Sequence, residues 1–114
     1  MIDFKTKETD GGTLVIRVTG RLDHETNEYF FNCVNDYIES GHNKIVINCA
    51  DLGYVSSVGL GALVRARSRS TKKGAKIYLA RIENQVLDVF RLINFDKLFS
   101  IFEKESEAIV AIES

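Results

Sequence analysis

The sequence contains no proline, and nothing in its 114 residues resembles a linker, a low-complexity tract or an internal repeat. A single domain over residues 1–114 is therefore expected, because a chain of this length can bury one core. No run approaches the ~20 apolar residues of a membrane span, and the first residues lack the apolar region of a signal peptide. We accordingly expect no membrane insertion and a cytoplasmic location.

Residues able to carry out covalent or metal chemistry are also scarce. The two cysteines, Cys33 and Cys49, are far apart and outside any CxxC motif, so we expect small buried side chains and no disulfide. The two histidines, His24 and His42, have neither the spacing of metal ligands nor an evident partner for a triad. A GxxxxGK[ST] phosphate-binding loop is absent as well. No enzymatic activity, metal or cofactor is expected.

The charges of the chain are nearly balanced. There are 15 lysines and arginines against 16 aspartates and glutamates, which gives a formal net charge of −1. A dedicated nucleic-acid-binding protein usually shows a strong positive field or a basic cluster interleaved with aromatic residues, and neither is present. We therefore expect no nucleic-acid partner, and we expect the partners to be proteins.

Apolar patterning predicts a chain in which strands and helices alternate. Strands at 2–8 and 13–18 are joined through Asp10-Gly11-Gly12, which is typical of a hairpin turn. Apolar residues at helical spacing then predict a helix over 24–39. The remaining predicted elements are a strand at 44–49, a helix at 58–72, a strand at 76–80, a helix at 84–93, a strand at 99–102 and a helix at 106–112. This order predicts an α/β fold, a mixed sheet with about four helices packed on it.

The most informative segment covers residues 51–64, where an apolar strand leads into two serines and a helix that contains glycines. Ser57 is predicted at or next to the N-cap, so its hydroxyl would lie on the surface at the start of the helix. A phosphate there would place roughly −1.5 to −2 charges at the positive end of the helix dipole, at little cost to folding stability. The alternative is that Ser57 serves only as an N-cap.

A strand followed by Val-Ser-Ser-Val-Gly-Leu-Gly and an apolar helix resembles the signature of the STAS domains, named for sulfate transporters and anti-sigma factor antagonists. In the stand-alone antagonists the motif often reads Asp-Ser-Ser-Gly-Leu-Gly or Ser-Ser-Ala-Gly-Leu, and the phosphorylated serine stands two places before Gly-Leu. That position is Ser57 here, and Ser56 stands where many relatives have aspartate. Upstream, Thr19-Gly20-Arg21-Leu22-Asp23 resembles the family's Gly-x-Leu-Asp, which implies that Asp23 faces the phosphorylation site.

Several side chains near Ser57 have alternative interpretations. On the helix, Ser57, Gly61 and Arg65 fall in one row. Gly59 and Gly61 either allow close approach by a partner's backbone or pack against the domain's own sheet, since helical glycine costs about 0.5–1 kcal/mol relative to alanine. Arg65 either contacts a partner or the phosphoserine, or belongs to a solvated basic face. The candidate partner-binding residues are Asp23, Ser56, Ser57, Gly59, Gly61 and Arg65.

Two aspartates near the motif have predicted structural roles. Asp23 is also placed to cap the helix that follows it, and this role is compatible with facing the site. Asp51 is predicted to end a strand and to fix the turn into the motif.

The resemblance implies an anti-sigma factor antagonist, which is a protein-binding switch and not an enzyme. The unphosphorylated surface would bind an anti-sigma factor that is also a serine kinase, and phosphate on Ser57 would break that complex. A serine phosphatase would restore the binding form. The alternative is an unphosphorylated STAS subunit that supports a transport or signalling complex.

Overall fold

The computed structural model describes residues 1–92 and 94–114, apart from the side chains of residues 84, 85, 92 and 96. Residue 93, the predicted end of the third helix, lies outside the described residues. Across the described ranges the chain forms five strands, four α-helices and one 3₁₀ helix. These are β1 (Ile2–Glu8), β2 (Leu14–Leu22), α1 (Asn27–Glu39), β3 (Lys44–Val55), α2 (Ser57–Lys72), β4 (Lys76–Ala80), α3 (Asn84–Leu92), the 3₁₀ helix (Phe95–Lys97), β5 (Ile101–Phe102) and α4 (Glu105–Glu113).

The strands form one mixed sheet in the order β1-β2-β3-β4-β5. β1 and β2 are antiparallel, whereas each later pair of neighbours is parallel. The predicted hairpin is confirmed: the N–H of Gly12 donates to the carbonyl of Thr9 at 3.0 Å. Gly12 has φ of +84°, a value that glycine adopts without the steric cost of a Cβ. The predicted α/β fold with a mixed sheet is therefore confirmed.

Apolar side chains cover both faces of this sheet. The larger cluster joins inward-facing strand residues to α1, α2 and α3, and includes Ile16, Ile47, Leu79, Phe30, Leu63 and Phe90. On the opposite face, Val15 and Val46 pack with Ala108 and Ile112 of α4. Because α2 lies on the face of the larger cluster and follows β3 directly, its first turn stands at the end of the central strand.

β3 is longer than predicted, and the reason is a change of register. Two irregularities in its pairing with β2 each insert one extra residue into β3. The buried side chains Cys49, Leu52 and Val55 are consequently three residues apart, and the two-residue alternation expected of a strand is lost. The prediction that Asp51 ends the strand and fixes the turn into the motif is wrong. Asp51 pairs with Thr19 inside the sheet, and its carboxylate accepts a hydrogen bond from Arg17 Nε at 2.8 Å.

The helix preceding β3 begins later than predicted. The N–H groups of Thr26 and Asn27 both donate to the carbonyl of Asp23, at 3.3 and 2.9 Å, which folds residues 23–26 into a turn. α1 therefore starts at Asn27. β4, in contrast, spans the predicted residues 76–80.

Candidate functional site

The two adjacent serines of the motif occupy different positions at the start of α2. Ser56 is the N-cap, with an extended backbone and a side-chain Oγ that accepts the N–H of Gly59 at 3.1 Å. The N–H of Ser56 donates to the carbonyl of Leu22 at 3.0 Å, which fixes the helix entry to the end of β2. The capping role that the sequence left open for Ser57 belongs to Ser56.

Ser57 is the first residue of α2, and its side chain is exposed. Among the described residues, none forms a hydrogen bond with the Ser57 hydroxyl. The first turn of α2 also contains no acidic residue. A phosphate on this hydroxyl would therefore meet the positive end of the helix dipole without breaking a bond of the described structure.

The two glycines of the first turns differ in their surroundings. Gly59 is buried, and a Cβ there would overlap the backbone carbonyl of Leu22 at the end of β2. Close packing against the domain's own sheet therefore requires glycine at this position. Gly61 is exposed, and a Cβ there would have no neighbour within 4 Å. Packing against the domain's own sheet thus explains Gly59 but not Gly61, and close approach by a partner's backbone at Gly61 stays a prediction.

Asp23 lies beside the motif, because the preceding residue, Leu22, accepts the Ser56 N–H. Its side chain is 12% exposed, and Oδ1 accepts the N–H groups of Glu25 at 3.0 Å and Thr26 at 3.3 Å. Burial raises the pKa of this carboxyl, but hydrogen bonds from Glu25, Thr26 and Arg21 outweigh burial and lower it overall. Asp23 therefore holds the turn before α1, but the prediction that Asp23 caps this helix is wrong, because the N-cap of α1 is Thr26.

Arg65 is directed toward α1. Its guanidinium donates to the Glu28 carboxylate at 3.1 Å and lies 4.5 Å from the ring centroid of Phe31. Both residues belong to α1, so the structure shows Arg65 as a link between the two helices. This arrangement keeps a cation on the exposed face of α2, one turn beyond Gly61.

Two residues that sequence reasoning did not select, Tyr54 and Val58, add apolar surface near Ser57, and a third, Arg21, contacts Tyr54. Tyr54 is 42% exposed and Val58 is 47% exposed, although both are large apolar residues. Arg21 lies over the Tyr54 ring at 4.3 Å from its centroid. The place of Tyr54 and Val58 in the sequence, on either side of Ser56-Ser57, was the available signal. We call Arg21, Tyr54, Ser57, Val58 and Gly61 the motif surface.

A shallow cleft extends the apolar area from Tyr54 toward α3. It has a volume of about 80 Å³ and is lined by Gly53, Tyr54, Val55, Val86 and Val89. Val89 is itself 36% exposed. Exposed apolar groups that adjoin one another in this way are typical of protein-binding surfaces.

Residues 1–92 and 94–114 show neither a metal-binding cluster nor a membrane-spanning helix. Within these ranges, no group of three or more His, Cys, Asp or Glu side chains is arranged to hold a metal ion. The same residues include no helix that is both long and apolar enough to span a membrane. Cys33 and Cys49 are both free thiols, and burial raises the pKa of the Cys49 thiol to about 12.

The fold and the motif surface define a small α/β domain with an exposed serine at a helix start. The chain belongs to the STAS domain family, whose model matches residues 4–108. An anti-sigma F factor antagonist from Paenibacillus polymyxa is 23% identical over 103 residues, which cover 90% of this chain and 88% of the relative.

Solved structures show the same architecture. An anti-sigma factor antagonist from Mycobacterium paratuberculosis matches with a TM-score of 0.88 at 19% identity, covering 100% of this chain and 96% of the other. The anti-sigma factor antagonist SpoIIAA in its unphosphorylated form matches with a TM-score of 0.71 at 22% identity, covering 98% and 99% of the two chains. The Bacillus protein SpoIIAA in its phosphorylated form matches with a TM-score of 0.72. At these identities the likeness to the solved structures concerns the fold.

Proposed function

We propose that this STAS domain is an anti-sigma factor antagonist that works in the cytoplasm as a phosphorylation-controlled binding switch. The observation that carries the proposal is the division of roles between Ser56 and Ser57. Ser56 caps α2, which leaves the exposed Ser57 hydroxyl without a hydrogen bond to any described residue. Ser57 can therefore gain or lose a phosphate while the helix keeps its cap.

The unphosphorylated motif surface is the proposed docking site. Tyr54 and Val58 supply exposed apolar area, and Gly61 leaves room for a partner's backbone beside Ser57. Gly59 and Asp23 contribute indirectly, since they hold the helix start and the neighbouring loop in place. The proposed partner is an anti-sigma factor with serine kinase activity, as the family resemblance implies. The chain itself would be the substrate of that kinase and not an enzyme.

Phosphate on Ser57 would change binding much more than folding. At the helix start its roughly −1.5 to −2 charges are favourably placed in the free protein. In a docked complex the same charge would be desolvated against a partner that fits a neutral hydroxyl, and uncompensated interface charge typically costs several kcal/mol. A serine phosphatase would remove the group and restore binding.

The test is intact-mass measurement after incubation with candidate anti-sigma factor kinases and ATP. We expect one phosphate on the parent protein and on Ser56→Ala, and none on Ser57→Ala. Ser56→Ala is a matched control because it changes the adjacent hydroxyl. Phosphate on Ser56 alone would contradict the assignment of Ser57. An unmodified protein that still bound a STAS-dependent transport or signalling complex would favour the accessory-subunit alternative.

A further inference from the structure

One edge of the sheet is long and has no neighbouring strand among the described residues. β1 spans seven residues and pairs with β2 alone, whereas β5 at the opposite edge spans two residues. An exposed edge of that length presents a row of backbone N–H and C=O groups that another strand can pair with. β5 is too short to offer the same template.

The pairing with β2 determines which backbone groups of β1 face outward. The N–H of Arg21 donates to the carbonyl of Met1 at 3.0 Å, so Met1 directs its backbone groups toward β2. Backbone direction alternates along an antiparallel strand, which places the outward groups on Ile2, Phe4, Thr6 and Glu8. In agreement, the N–H of Phe4 donates to its neighbouring Asp3 carboxylate at 3.0 Å and not to β2.

We propose that β1 pairs antiparallel with β1 of a second copy of this chain, with Phe4 opposite Phe4 across a two-fold axis. In that register Ile2 faces Thr6 of the second copy, so the outward backbone groups of both strands meet. The result is a continuous sheet of ten strands, five from each copy.

Charge favours this register over the adjacent one. With Phe4 on the axis, Asp3 of each copy faces Lys5 of the other, which forms two cross-strand pairs of opposite charge. No acidic side chain within the described ranges forms an ion pair with Lys5 in the single chain. Moving the axis to Lys5 would place Asp3 opposite Lys7, which already pairs with Glu105 at 2.8 Å, and would place the two Lys5 side chains opposite each other, which is repulsive.

An aromatic contact on the other face of β1 supports the same choice. The Phe4 ring stacks on Tyr29 with 5.6 Å between centroids, and Tyr29 is 56% exposed. Pairing at Phe4 brings the two Phe4–Tyr29 stacks together, and Tyr29 would lose exposed apolar area. Because the strands are antiparallel, the two motif surfaces would lie at opposite ends of the joined sheet, and both would stay accessible.

Sedimentation velocity over a range of concentrations tests the pairing through Thr6→Pro. The Thr6 N–H faces away from β2, so proline there removes an outward donor and leaves the bonds to β2 intact. We expect the parent and the control Thr6→Ala to dimerise as concentration rises, and Thr6→Pro to remain monomeric with an unchanged circular dichroism spectrum. A dimer that persists in a folded Thr6→Pro variant would overturn the proposal.

A charge exchange tests the register. Asp3→Lys and Lys5→Asp should each weaken self-association roughly tenfold, because each converts two attractive pairs into repulsive ones. Mixing the two variants should restore dimers, since both lysines of the first variant would then face the two aspartates of the second. The control is Lys72→Asp, which makes the same change in charge as Lys5→Asp at an exposed position of α2 and should have no effect on self-association. Failure of the mixture to associate would refute the register. A parent protein that is monomeric at millimolar concentration would refute the dimer. The free edge of β1 would then be available only for pairing with a strand of a different protein.

Discussion

Replacing Gly61 with alanine should strengthen folding and weaken partner binding. The new Cβ would have no neighbour within 4 Å, so it causes no clash in the free domain. Alanine is the better helix former by about 0.5–1 kcal/mol, and the free energy of unfolding should rise by about that amount. The added methyl group would stand on the motif surface beside Ser57, where it would hinder close approach by a partner.

Gly59→Ala is the matched control, because it makes the same chemical change two residues earlier in the same helix. Its Cβ would overlap the Leu22 carbonyl, which is backbone and cannot rotate away. Overpacking of this kind costs about 1–3 kcal/mol and outweighs the gain in helix propensity. The net effect should be a loss of stability of up to about 2 kcal/mol.

Urea denaturation of both variants beside the parent measures the difference, which should be about 1–3 kcal/mol between the two alanines. Titration with the anti-sigma factor measures binding. A Gly61→Ala protein less stable than the parent would show that this helix face is not free. Unchanged binding by Gly61→Ala would remove Gly61 from the proposed docking site.

Two further predictions concern the polar contacts that hold helix ends. Ser56→Ala should lower the free energy of unfolding by about 0.5–2 kcal/mol, because it removes the α2 cap. Ser57→Ala should leave the stability nearly unchanged. Equal urea midpoints for the two variants would contradict the assignment of Ser56 as the cap. Hydrogen bonds from Thr13 and Thr9 lower the pKa of Glu113 in the folded protein. The ionised Glu113 therefore stabilises the fold fully above its unfolded-state pKa of about 4.3. This contribution is lost as the pH falls through the lower pKa of the folded state. Glu113→Gln should therefore reduce the loss of stability between about pH 5 and pH 3, measured by urea denaturation, and an unchanged pH profile would contradict it.

Sequence patterns over a few residues predicted correctly those elements whose ends are set by residues adjacent in the sequence. β4 matched its predicted range because an apolar run follows Gly74, whose φ of +73° ends the preceding helix segment. β3 did not, because its extent depends on register irregularities with β2, a strand far away in sequence. The same long-range pairing gives Asp51 its partner Arg17, which no local turn rule could supply.

The candidate site shows a similar division between local and long-range information. The motif placed Ser57 at a helix start, and helical spacing placed Gly61 on the same row. The distinction between Gly61 and Gly59 depended on Leu22, and the direction of Arg65 depended on Glu28 in α1. Exposure of Tyr54 could not be predicted either, because the register shift before Tyr54 determines which side chains of β3 face the core.

The pair of adjacent serines lets one short motif hold the helix start and also carry the proposed phosphorylation site. If Ser57 itself capped α2, a phosphate would compete with the cap, and modification would alter the helix start along with the surface. In this chain the cap belongs to Ser56, whose Oγ binds the Gly59 N–H while its own N–H is bound to Leu22. Aspartate, the residue that the family resemblance implies at that position in many relatives, is also a strong N-cap residue. Serine at position 56 therefore keeps the capping chemistry and adds no negative charge beside Ser57, so the unphosphorylated state of the proposed switch presents a neutral pair of hydroxyls at the helix start.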